Sequence, residues 1–305
     1  MKKAIVTGAN GFVGSNLVRE LIRQEVQVLA VGHDNRFQNL PEDDRILRLS
    51  LDMDDIIALE GKVSPCQYDT FYHFAWTGSA GADRTNETLQ MKNVQWTCDC
   101  IRMAHQIGCN NFVCAGSIME KEVIATTFAQ GNSPGPASIY GAAKLAAHCM
   151  AKPIANQVGI NLIWAVITNA YGEGEVSPRF VNATIRKIIR QEPLQFTAAT
   201  QNYDFVHIAD VARAFYCIGE SGKANCEYLI GSSNARPLRE FIQEMQQSLA
   251  PDAELQFGDI PFAGINMSLE EFDTSFTERD TGFRAEISFA EGVKRTMQWL
   301  QEVEE

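Results

Sequence analysis

Short, continuously apolar runs alternate along the chain with stretches whose apolar residues return every three or four positions. The runs fall at 4–6, 26–31, 46–51, 70–75, 112–115 and 162–167. Each is of strand length and apolar throughout rather than alternating, the pattern of strands covered on both faces. After the first run, Leu17, Val18, Leu21 and Ile22 share one helical face while Arg19, Glu20 and Arg23 point away. Residues 91–107 and 140–156 predict two further helices. Apolar strands joined by helices predict an α/β fold, a Rossmann-like, doubly wound parallel sheet with right-handed crossovers. Beyond residue 170 the pattern changes. Tyr171-Gly172-Glu173-Gly174 reads as a loop, followed by helices at 180–190 and 290–302 and short mixed elements. The expected organisation is a Rossmann domain over 1–170 and a smaller mixed α/β substrate domain over 171–305, with some segments interleaved. Small and polar residues predict a loop over 76–90.

The first strand runs directly into Thr7-Gly8-Ala9-Asn10-Gly11-Phe12-Val13-Gly14. One glycine permits the tight turn, the next lets backbone approach a pyrophosphate, and Gly14 lets helix and strand pack closely. The helix that follows offers its unbonded N–H groups and partial positive charge to phosphates. Such a turn points to a dinucleotide, NAD or NADP, held by Gly8, Asn10, Gly11, Phe12, Val13 and Gly14. A carboxylate that would accept the ribose hydroxyls of NAD is missing at the end of the second strand, where Gly32 stands. His33 and Arg36 suit the extra phosphate of NADP, whereas Asp34 could turn in and restore NAD, and the reading favours NADP. Asp52, with Met53 beside it, is placed to accept from an adenine amine. The competing reading is a solvated loop acid among Asp54 and Asp55.

Tyr140-Gly141-Ala142-Ala143-Lys144 places a phenol and an ammonium on one helical face. A phenol is a poor base at neutral pH, and a neighbouring ammonium favours the phenolate. Tyr140 can then move a proton at an alcohol or ketone oxygen while a hydride moves at its carbon. The strand at 112–115 continues into Gly116-Ser117, whose hydroxyl can hold the same oxygen.

Taken together, these residues resemble the extended short-chain dehydrogenase/reductases, in particular the NAD-dependent epimerase/dehydratase group. The resemblance runs nearly end to end. It rests on Thr7–Gly14, Phe74-Ala75, Asn93, Ser117, Tyr140/Lys144, Asn169-Ala170-Tyr171-Gly172, the 204–212 stretch and Thr281-Gly282-Phe283. It implies that Tyr140 is the general acid/base, Lys144 its partner on the nicotinamide ribose, and Ser117 the oxygen binder. Phe74, Ala75 and Ile167 join the cofactor set. Asn93, similar to the family's structural asparagine behind the active site, is counted with them. Trp76, Ser117, Asn169, Arg179 and Tyr203 are the expected substrate residues. His73 and His207 read as packed side chains.

Two departures narrow the chemistry. Family dehydratases carry acids directly after the catalytic hydroxyl. Here Ile118 and Met119 follow, and Glu120 comes one position late, which disfavours elimination. The positions of two family arginines hold Val166 and Tyr203; Arg179, Arg186, Lys187 or Arg236 could meet a diphosphate instead, and a carrier-free or non-sugar ketone substrate is equally compatible with what is missing. The leading reading is hydride transfer at a secondary alcohol or ketone, as in a nucleotide-sugar 4-ketoreductase. The first alternative is a nucleotide-sugar 4-epimerase with retained NAD, and the second is a non-catalytic NAD(P)-binding regulatory protein. Specificity is expected from the loops at 76–90 and 258–276.

Composition closes off other classes. The net charge of −12 argues against a nucleic-acid partner. Nothing approaches ~18 uninterrupted apolar residues, so no membrane span is expected. The eight cysteines form no C-x-x-C and read as reduced, buried thiols of a cytoplasmic protein, with no metal site. Small apolar residues at Ala142, Ala143, Ala146, Ala147 and Met150 suit close helix contact in a homodimer.

Overall fold

The computed structural model describes residues 1–258, 260 and 265–304. Residues 259 and 261–264, inside the 258–276 stretch, lie outside the described residues. Six parallel strands follow in chain order: β1 (Lys3–Thr7), β2 (Gln27–Gly32), β3 (Ile46–Ser50), β4 (Thr70–His73), β5 (Asn111–Ser117) and β6 (Asn161–Ile167). The short strands β7 (Asn169–Tyr171), β8 (Leu194–Phe196), β9 (Asn202–Tyr203) and β10 (Phe205–His207) come next. Then β11 (Glu227–Ile230) returns to the large sheet, whose order is β11-β6-β5-β4-β1-β2-β3. From β1 the chain builds outward through β2 to β3, then crosses back to place β4 on the other side of β1. That reversal opens a crevice at the carboxyl ends of β1 and β4, where doubly wound sheets bind ligands.

Both faces of the sheet are covered, so alternate residues of a strand enter different cores. On β1, Ile5 joins one core with Phe71, Phe112 and Trp164, while Ala4 and Val6 join the other with Tyr72, Ile163 and Phe215. The first core is closed by α2 (Glu87–Gln106) and α4 (Ser138–Val158), and the second by α1 (Phe12–Arg23) and α6 (Ile208–Ser221). Between them in sequence lie α3 (Met119–Thr127) and α5 (Phe180–Ile189). A third core gathers Tyr171, Ile185, Phe205, Phe241, Phe289 and Leu300, from β7, β10, α5, α7 (Leu238–Leu249) and α9 (Phe289–Glu304). It forms the smaller cap. The remaining strands and α-helix are β12 (Arg236–Pro237), β13 (Leu255–Phe257) and α8 (Ser275–Thr281), and 3-10 helices lie at Met53–Lys62 and Leu269–Phe272. Past residue 170 the chain thus contributes to both layers: α6 packs on α1, and β11 extends the sheet beside β6. Among the described residues no helix is long and apolar enough to cross a membrane.

Several local expectations are corrected. The run at 46–51 is an edge strand, not a doubly covered one: Ile46 is buried but Leu47 stands 58% exposed. The expected loop at 76–90 holds a short 3-10 turn, Ala82–Thr85, and α2 begins at Glu87, because the Asn86 side chain accepts from Leu89 N and caps it. Among the cysteines, Cys66 and Cys149 are exposed rather than buried.

His73, at the end of β4, is wholly buried between Thr7 Oγ1 (2.9 Å) and Thr97 Oγ1 (3.2 Å). Burial, then the nearby Lys144 charge, depress its imidazole to about 3. As pH falls below ~6.5 the unfolded chain takes up a proton that the folded chain refuses. This group therefore removes stability at about 1.4 kcal/mol per pH unit as pH falls toward its folded value. Urea unfolding at pH 7 and pH 5 should show a smaller loss for His73→Asn than for the unaltered chain. Equal losses would refute the assignment.

Candidate active site

The turn between β1 and α1 is shaped by backbone contact. Gly8 has φ +64°, and a Cβ there would lie 2.7 Å from Ala75 N and from Phe74 C. A Cβ on Gly14 would lie 2.2 Å from Gly8 O. The turn is thereby pressed against the residues that leave β4. Gly11 occupies the N-cap of α1 and brings no side-chain bond to the helix's first N–H groups. They remain for an anion.

Two cavities meet over this turn. One, of about 430 Å³, is lined by Asn10, Gly32, His33, Arg36, Asp52, Met53, Ala75 and Trp76 among others. The second, of about 350 Å³, runs past Phe12, Val13 and Gly14 to Ser117, Tyr140, Lys144 and Ile167. Gly8, Gly11, Phe74 and Trp76 line both. A nucleoside pocket on one side of an uncapped helix start and a tyrosine–lysine pair on the other fit an extended dinucleotide. At the end of β2, Asp34 is turned into the left-handed region and shared by His33 Nδ1 (2.9 Å) and Arg36 Nη2 (3.4 Å). His33 and Arg36, not Asp34, face the cavity. Asp52 faces it while also accepting from Asp54 N (2.9 Å).

Asn93 corrects the expected cofactor set. It is wholly buried, accepts from Thr77 N (2.8 Å), and donates to Thr77 O (2.9 Å) and Leu89 O (3.0 Å). It shapes the wall behind the site instead of meeting a ligand. Trp76, expected with the substrate residues, lines both of these cavities and donates to Gln90 Oε1.

A third cavity, of about 370 Å³, adjoins the trough on the side of the cap. Ser117 and Tyr140 line both spaces and so stand in the shared wall. Tyr140 lies in the first turn of α4, edge-on to Trp76 with ring centres 6.0 Å apart. Lys144, one turn on, is buried; its Nζ donates to Ala115 O (2.9 Å) and lies 3.7 Å from the centre of the Trp76 ring. Ser117 Oγ accepts from Met119 N (3.3 Å), which fixes its direction at the end of β5. Glu120 points away from the chamber into the core, where it accepts from Ser117 N and Trp164 Nε1.

In the chamber, the Asn169 amide donates to Asp204 O (3.0 Å), and Tyr203 stacks on Phe205. Burial pushes the Tyr203 hydroxyl above its ordinary range. Of the four cations weighed from sequence, Arg179 lines the chamber, paired with Glu175 Oε2 at 3.3 Å. Arg236 is held instead by Glu244 and lies over the Phe241 ring. Sequence reasoning missed Ser79, Arg84, Glu122 and Glu175, which also line the chamber. Burial raises the Glu122 carboxyl, against the pull of the Arg84 charge. Its helical spacing from Met119 was the one available signal.

The fold and the cavities over the glycine turn suit a dinucleotide-dependent enzyme, with Ser117, Tyr140 and Lys144 lining one of them. The chain belongs to the NAD dependent epimerase/dehydratase family, whose model matches residues 4–231, and is an enzyme of the extended short-chain dehydrogenase type. A dTDP-4-dehydro-6-deoxyglucose reductase of Escherichia coli is 22% identical over 314 residues, 97% of each chain. The UDP-N-acetylglucosamine 4-epimerase of Methanobrevibacter ruminantium M1, solved with UDP-N-acetylmuramic acid, superposes with a TM-score of 0.83 at 19% identity over 99% of both chains. MoeE5, solved with UDP-glucuronic acid and NAD, gives 0.78 at 24% identity, again over 99% of both. These likenesses carry the fold.

Proposed function

We propose that the protein transfers a hydride at a secondary alcohol or ketone carbon of a nucleotide-activated sugar, as a 4-ketoreductase using NADP. The observation that carries this reading is the shared wall: Ser117 and Tyr140 line the trough on one side and the chamber on the other. When bound, the nicotinamide supplies or accepts the hydride. Ser117 holds the substrate oxygen, Tyr140 gives or takes its proton, and Lys144 stays fixed beside them by Ala115 O and the Trp76 face. Asn169 and Arg179 meet the nucleotide end. His33 and Arg36 at the trough's far end, with glycine rather than a carboxylate at position 32, favour the 2′-phosphate of NADP.

An epimerase that retains NAD is the second reading, supported by the likeness to the M. ruminantium epimerase. The two differ in cofactor traffic. The purified protein should carry little bound nucleotide and oxidise NADPH when given a 4-keto nucleotide sugar. Tightly bound NAD in a one-to-one ratio, with no net NADPH consumption, would overturn the reductase reading. We also propose a homodimer through α2 and α4, on which Met91 and Met150 stand exposed. Light scattering should return twice the chain mass; a monomer would refute it.

A further inference from the structure

Arg84 stands apart among the cations of the chamber. Arg179 has its carboxylate, Glu175, whereas Arg84 has no hydrogen bond or ion pair through its side chain among the described residues. Its Nε is buried and unpartnered. Its guanidinium lies over the Tyr140 ring, 4.6 Å from the centroid, in the chamber with Ser117, Glu122 and Tyr203. A half-buried guanidinium with unused donors is costly unless an acceptor arrives.

The loop that presents it is built, not loose. Gln90, wholly buried on α2, donates from one amide nitrogen to Gly78 O (2.8 Å) and Asp83 O (3.0 Å) and accepts from Trp76 Nε1. Asn93 clamps Thr77 at both backbone atoms. Gly78 has φ +74°, and a Cβ there would lie 2.9 Å from Gln90 Nε2 and from Asp83. The turn carrying Arg84 is therefore fixed from both sides before any ligand binds.

We infer that Arg84 is the anion-binding residue of the chamber, taking an acidic oxygen group of the substrate, a carboxylate or a phosphoryl, in charge-assisted hydrogen bonds. The inference deepens the nucleotide-sugar reading and rests on it. Val166 is buried in β6, and Tyr203, which lines the same chamber as Arg84, brings no charge. Glu122 lines the same chamber; burial raises its carboxyl, and the Arg84 charge pulls the other way.

The test is calorimetric binding to the NADPH-loaded chain and to its Arg84→Gln and Arg84→Lys variants. The probes are UDP, UDP-glucose, UDP-glucuronate, and the fragments inorganic pyrophosphate and glucuronate. Loss of one charge-assisted contact should weaken the recognised probe roughly ten- to a hundredfold in Arg84→Gln, with partial recovery in Arg84→Lys. NADPH affinity, measured separately, should not change. Weakening of all three nucleotides together assigns the phosphoryl group; weakening of UDP-glucuronate alone assigns a carboxylate. If no nucleotide binds but a fragment does, and Arg84→Gln abolishes that binding, the nucleotide-sugar reading fails while the anion site stands. Unchanged affinities throughout, or no anion bound by the unaltered chain, would overturn the inference.

Discussion

Replacing Tyr140 with Phe is expected to lower turnover by roughly 10²- to 10⁴-fold, the usual contribution of a positioned general acid/base. Cofactor affinity should stay unchanged. The substitution removes one oxygen and keeps the ring, which touches Trp76 at its edge and carries Arg84 over its face. Lys144 keeps its bond to Ala115 O, so the trough wall is preserved. The loss should therefore fall on kcat and leave substrate and cofactor binding intact. Measuring kcat with a keto substrate beside cofactor binding by fluorescence quenching separates the two. Turnover close to that of the unaltered chain would remove Tyr140 from the chemistry. Loss of cofactor binding would make it a cofactor ligand first.

What could be read before the fold was known follows from how local each feature is. Gly8, Gly11 and Gly14 sit in one turn, and Tyr140 and Lys144 are one helical turn apart, so spacing alone places them together. Arg84 and Glu122 reach the same chamber from a loop and a separate helix. Only the clamps from Gln90 and Asn93 put Arg84 there, and side-chain pairings across 12 to 16 residues leave no periodic trace. β11, Glu227–Ile230, escaped among the short mixed elements read beyond residue 170. β3 was misjudged in the opposite sense. Its apolar run looks doubly covered, yet only its place at the end of the sheet decides that Leu47 meets solvent. Asn93 was read as a structural asparagine behind the active site yet counted with the cofactor residues, since an amide that binds backbone and one that binds ligand look alike in sequence.

The second large effect is expected beneath Ser117. Glu120 is buried at 3% exposure, and its carboxylate accepts from Ser117 N (2.8 Å) and Trp164 Nε1 (3.2 Å). His148 Nδ1 lies 3.0 Å from its other oxygen, and the His148 ring stacks on Trp164 with centres 4.3 Å apart. Gly116 makes room for the cluster: a Cβ there would lie 2.3 Å from Trp164 Nε1 and 2.8 Å from Glu120 Oε1. Glu120→Ala leaves Ser117 N, the indole N–H and the imidazole without this acceptor. A buried polar network broken at one member costs about 3–5 kcal/mol. Urea unfolding should show a loss of that order for Glu120→Ala. Glu120→Gln, which can still accept from Ser117 N and Trp164 Nε1, should lose less. Because the same carboxylate anchors Ser117, whose hydroxyl is proposed to hold the substrate oxygen, the two variants should also differ in kcat: Gln should preserve most of it, and Ala should lower it beyond what the unfolded fraction explains. Equal kcat per folded molecule in both variants would limit Glu120 to stability. Unchanged unfolding of Glu120→Ala would show that the cluster contributes nothing to holding the end of β5.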